Sequence, residues 1–127
     1  MATTDAHEEA PERSNDARTG ALDPLLQLKN SLEATRRKLL NIRPDTLGDA
    51  EHEAWAEQVF ELSRAITAVR NAALATLSDE FKAELPSLEA STLQLGKDLR
   101  RLKEAVDIIR AVSGALGVIT HIAVLLG

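Results

Sequence analysis

The stretch SLEASTLQLGKDLRRLKEAVDIIRAVSGALGVITHIAVLL, residues 87–126, decides how this chain is read. It holds no proline, and its apolar residues recur at helical spacing, so one long helix over 87–126 is expected. Its two halves differ when residues are placed at about 100° intervals. The first half carries one narrow seam, Leu88, Thr92, Leu95, Leu99, Leu102, Val106 and Ile109, with Ser113 and Leu116 continuing the register. Lys97, Asp98, Arg100, Arg101, Lys103 and Glu104 flank it. After Arg110 no formal charge remains. Val112, Ala115, Leu116, Val118, Ile119, Ile122, Ala123 and Leu126 then form a broad apolar arc, opposite Asp107, Arg110, Ser113, Gly114, Gly117, Thr120 and His121. A helix that is narrow-seamed at one end and broadly apolar at the other needs one neighbour at the first end and two at the second.

Working upstream supplies those neighbours. Pro86 disfavours helical geometry in its predecessor and ends a helix expected over 50–85. Asp49 is its candidate N-cap, with Glu51 and Glu53 in the first turn where the helix dipole favours acids. The seam is Trp55, Val59, Leu62, Ile66, Val69 and Ala73, after which the register slips to Leu77 and Phe81. That slip fits a break at Ser78-Asp79 or continuation to Leu85, and continuation is the reading adopted. A first helix over 24–42 follows from Leu25, Leu28, Leu32, Thr35, Leu39 and Ile42, the heptad spacing of a packing seam, with Asp23 as N-cap, Pro24 at the first helical position and Arg43-Pro44 as the stop.

The expected fold is therefore all-α. An antiparallel three-helix bundle at one end narrows to a helical hairpin, with long second and third helices and the turn near Pro86 at the tip. Residues 21–127 form the single helical domain of this reading. Residues 1–20 hold five acids, two arginines and no large apolar side chain beyond Met1, so an acidic disordered tail is expected there.

Composition narrows the function. The chain of 127 residues is 44% hydrophobic, 28% charged and 2% aromatic, with net charge −5. Few aromatics and an acidic balance disfavour nucleic acid, whose binding rests on phosphate neutralisation and base stacking. The runs Arg36-Arg37-Lys38 and Lys97 to Lys103 spread around their helices, with Glu33, Asp98 and Glu104 in pairing range. Absence of cysteine removes disulfides, thiol chemistry and cysteine-ligated zinc. The N-terminus lacks a basic and apolar leader pattern, so cytoplasmic residence is the expectation. Arginine and alanine richness is compatible with a GC-rich bacterial genome.

Chemistry-bearing motifs fail on inspection. His52-Glu53 begins like a zinc-protease helix, but Ala56 stands where the second histidine is needed. Glu-x-x-His pairs of di-metal bundles are missing, because Asp49 and Val118 precede His52 and His121 by three residues. Gly114-Ala115-Leu116-Gly117 lies inside an apolar helix, without the strand and lysine of a phosphate loop. No catalytic residue, metal or cofactor is therefore assigned.

What remains is contact. Ser113, Gly114, Gly117 and His121 share an arc whose small residues permit close approach by another helix, a candidate self-association face. Val112, Leu116, Val118, Ile119, Ile122 and Leu126 form either a core face or a membrane segment, and burial in the bundle explains them without a membrane. The expected function is a non-enzymatic scaffold or adaptor acting on protein partners, itself included. Membrane association through 111–127 is the alternative, and an antitoxin- or immunity-like regulatory partner is a weaker one.

Overall fold

The computed structural model describes residues 16–74 and 76–126, with side chains from Pro24 onward. These residues form α1 (Asp16–Leu40), a short 3-10 turn (Pro44–Thr46), α2 (Asp49–Ala72), α3 (Asp79–Arg101) and α4 (Ala105–Leu126). No strand occurs among the described residues, in agreement with the all-α expectation. Among the described residues four helices replace the three expected, because each of the two long helices is divided and the two inner pieces join across Pro86 as α3.

The first division falls at the register slip. Ala73 closes α2, and Ser78 caps α3 by accepting a hydrogen bond from the Phe81 N–H at 3.1 Å. That bond satisfies one of the four amides that a helix start leaves without partners. Asp79 and Glu80 occupy the first turn, where the dipole favours them. Pro86, expected to end a helix, lies inside α3 instead. It is exposed, so the carbonyl that it cannot serve as a donor lies on the solvent side of the helix.

The second division lies between Arg101 and Ala105, where Leu102 is extended at φ −95° and ψ 136°. Leu88, Thr92, Leu95 and Leu99 are buried before it, whereas Ile108, Val112, Ile119 and Ile122 are buried after it. Val106, expected on the seam, is 43% exposed. The row thus steps from buried Leu99 through half-buried Leu102 and Ala105 to buried Ile108 in successive threes, a phase change that a straight helix cannot keep on one face. The chain breaks and reverses there.

Smaller differences concern the starts. α1 begins at Asp16, which places Pro24 within the helix rather than at its first position. Of the tail expected over 1–20, residues 1–15 lie outside the described residues, and 16–20 belong to α1. Gly48 rather than Asp49 is the N-cap of α2.

The helices pack as two antiparallel hairpins, α1/α2 and α3/α4. In the first, Trp55 at the start of α2 donates its indole N–H to the Leu39 carbonyl at the end of α1, 2.7 Å away. In the second, His121 near the end of α4 meets Glu84 near the start of α3 at 2.8 Å. The hairpins then stack like on like. Gln58 of α2 reaches Ile109 and Ser113 of α4, and Asn71 shares a groove with Leu126, so α2 and α4 run parallel. Ser31 and Lys38 of α1 share a groove with Leu93 and Arg100 of α3, so these two also run parallel. Going round the bundle the order is α1, α2, α4, α3, so α2 and α3, joined through residues 73–78, stand on a diagonal. Helix axes lie about 8–10 Å apart, and six residues extended can span about 20 Å, so the link is long enough. Consecutive α2 and α3 are therefore not neighbours, contrary to the expectation for short connections.

Phe81, Leu28, Leu32, Leu39, Leu62, Ile119 and Ile122 are fully buried in the shared interior. Each such side chain contributes about 1.5–3 kcal/mol by leaving water. The whole first seam, Leu25 through Leu39 on α1 and Ile42 just past its end, is buried as its spacing requires.

Candidate interaction surfaces

α4 presents the arc opposite its core face to solvent. Val106, Asp107, Arg110, Ser113, Gly114, Gly117, His121 and Val124 are all exposed. A Cβ built on Gly114 or Gly117 meets nothing within 4 Å, so the backbone is open there. The other two residues of the candidate self-association face have partners within the chain. Ser113 Oγ lies 2.8 Å from Gln58 Nε2, and His121 Nε2 lies 2.8 Å from Glu84 Oε1. Thr120 leaves the arc, half-buried with its hydroxyl donating to the Leu116 carbonyl. The bare part of the face is thus the glycine pair, edged by Val106 and Val124.

Of the six apolar residues expected as core or membrane segment, Val112, Ile119 and Ile122 are fully buried. Leu116, Val118 and Leu126 are half-buried. Their arc packs on α2 and α3, the two helices that flank α4.

A second surface property emerges only from the stacking. Parallel neighbours bring two helix C-termini, those of α1 and α3, to the end of the bundle marked by Pro44, beside the N-termini of α2 and α4. Each terminus carries charges that oppose its dipole: Arg37 and Lys38, Arg100 and Arg101 at the C-termini, Asp49, Glu51 and Asp107 at the N-termini. At this end of the bundle charges therefore separate by side. Residues 29–43 hold five bases and one acid, and residues 94–103 hold four bases and one acid. Residues 45–61 of the opposite side hold six acids and no lysine or arginine.

Two residues here escaped the sequence reading. Gln58 is 1% exposed and lies in the row Trp55, Gln58, Leu62, Ala65, Val69, whose spacing is as regular as the seam through Val59 that apolarity favours. Phe60 is 60% exposed on the outer face of α2, partly covered by the Arg64 guanidinium 6.0 Å from its ring. Its position among the acids was the available signal. Among the described residues no three His, Asp or Glu side chains converge as a metal-ligand set. Compared with family models, curated proteins and solved structures, the chain matches none of them.

Proposed function

We propose that the chain is a non-enzymatic helical scaffold or adaptor, resident in the cytoplasm, that works through helix–helix contacts with protein partners and with itself. The observation that carries this reading is the open glycine pair on α4. Gly within a helix costs about 1 kcal/mol relative to Ala, and two of them one turn apart on an exposed arc leave a shallow channel where another helix can approach closely. Val106 and Val124 at the ends of the arc supply apolar contact. Replacing Gly114 and Gly117 together by Leu tests this face, since a Cβ at either position meets nothing within 4 Å, with circular dichroism as the control for folding. Light scattering at about 0.5 M salt, where charge contacts between copies are screened, is expected to show a dimer in the parent chain and a monomer in G114L/G117L. An unchanged mass between the two discards the glycine face.

A membrane reading has one observation in its favour. α4 is 22 residues long and apolar enough, by length and composition, to cross a bilayer, and a third of its most apolar window is buried. Insertion requires α4 to leave α2 and α3, exposing the core faces of those helices that it covers. Sedimentation with liposomes separates the readings, using the intact chain beside one ending at Arg110. The scaffold reading expects the intact chain in the supernatant and the shortened chain unfolded. Lipid binding by the intact chain, lost from a still-folded short chain, establishes the membrane reading instead.

A further inference from the structure

Two grooves run end to end along the α1/α3 side. The first, about 330 Å³, is lined by Ala34, Thr35, Lys38, Leu93, Gly96 and Arg100 among others; the second, about 310 Å³, continues from Lys38 to Arg43, Lys103 and Ile108. Their floor is small or apolar, and their rim carries Lys38, Arg43, Arg100 and Lys103 with no acid among the lining residues. Among the described residues none of these four cations has a carboxylate within 4 Å. On the opposite side of the bundle, Asp49, Glu53 and Glu57 stand at four-residue spacing along the exposed face of α2, with Phe60 one turn further. Like charges at that spacing repel, and no base between 45 and 61 relieves them. Each side thus carries an unbalanced charge line and an apolar feature, a groove on one and a protruding ring on the other.

We propose that the α1/α3 groove of one copy receives the outer face of α2 from a second copy. Phe60 enters the Leu93 and Gly96 section, and Glu53 and Glu57 meet Lys38 and Arg100. Dimensions agree, since Glu53 to Phe60 and Leu93 to Arg100 each cover seven residues, about 10 Å of helix. Direction agrees too. Glu53 and Arg100 both lie toward the Pro44 end of the molecule, with Phe60 and Leu93 farther from it, so the two copies stand side by side in the same orientation. The incoming α2 then runs antiparallel to both α1 and α3, and the helix dipoles oppose favourably. Because donor and acceptor surfaces lie on opposite sides of one molecule, the contact is heterologous and repeats instead of closing as a dimer.

This proposal rests on the self-association reading, but uses a different surface from the α4 glycines. The test compares the full chain with K38E/R100E, E53K/E57K and Phe60→Ser by analytical ultracentrifugation, with circular dichroism confirming equal helicity. At about 50 mM salt, the mass of the parent chain is expected to rise with concentration beyond a dimer, and at about 0.5 M salt to fall to a fixed smaller unit as screening shortens the range of the charges. Each charge variant alone stays at that smaller unit in low salt, an equimolar mixture of the two recovers growth, and Phe60→Ser weakens association at least about tenfold. A mixture that does not recover, or a parent mass independent of salt, overturns the proposal. A salt-insensitive dimer lost only in G114L/G117L removes this surface and keeps self-association, whereas a monomer under every condition removes both.

Discussion

Gln58 shows how one polar side chain sets the relation between two helices. Its Nε2 donates to the Ile109 carbonyl at 2.9 Å and to Ser113 Oγ at 2.8 Å, while Oε1 is buried without a partner. The Ile109 carbonyl also has its own intrahelical amide, and Ser113 is exposed, so neither depends on Gln58 for satisfaction. The orphan oxygen costs about 1–3 kcal/mol, comparable to what the two bonds return. Gln58→Leu keeps the volume and removes the orphan, and is expected to raise unfolding free energy by about 1 kcal/mol in urea denaturation. The same variant loses the only polar mark of the α2/α4 register among the described side-chain bonds, so its amide spectrum is expected to broaden as α4 samples neighbouring registers. Apolar periodicity could not reveal this residue, because Gln at a seam position reads as surface until its neighbours are known.

At the scale of elements, the seams of α1 and α3 were legible, that of α2 less so, since Val59 is half-buried and Ala73 exposed; the break at Ser78 was one of two readings, and the break at Leu102 was not legible. α1 buries every residue that its heptad spacing selects, and α3 does the same from Phe81 to Leu99. The division at Ser78 left a trace in the slip to Leu77 and Phe81, and its energy is local. Ser78→Ala removes the acceptor for the Phe81 amide and is expected to destabilise the chain by about 1 kcal/mol, seen as a Tm lowered by several degrees. Pro86 misled because a proline at the eighth helical position is tolerated when its side of the helix faces water. The division at Leu102 has neither glycine nor proline to announce it. Only the pair of three-residue steps from Leu99 to Ala105 records it, and the residues between, Lys103 and Glu104, suit a helix as well as a turn.

For the whole molecule, the net charge of −5 conceals a separation into a basic and an acidic side at the Pro44 end, which the other end reverses with Asp79, Glu80, Glu84 and Glu89 on α3 and Arg64 and Arg70 on α2. That separation follows from topology. Had α2 and α3 been neighbours, the basic ends of α1 and α3 would lie apart, and each would face the acidic start of a helix beside it. Stacking like on like places basic ends together instead. The exposed α4 arc was readable from the wheel alone, since an apolar half must turn inward. The charged sides were not, because they join residues far apart in the chain, and no local pattern reports which helices share a side.

The diagonal link over 73–78 also bears on how the chain reaches this state. Within the hairpins, bonds join residues 16, 27 and 37 apart, as in Trp55 to Leu39, Arg36 to Ser63 and His121 to Glu84. Between them, Gln58 joins residues 51 and 55 apart. Loop closure favours the nearer pairs, by only a few tenths of a kcal/mol between separations of 37 and 51, so the hairpins are expected to close first and to dock afterwards. Until they dock, each hairpin exposes the face meant for the other. A hairpin from a neighbouring chain offers the same face, which makes exchange between copies the natural error of this fold at high concentration.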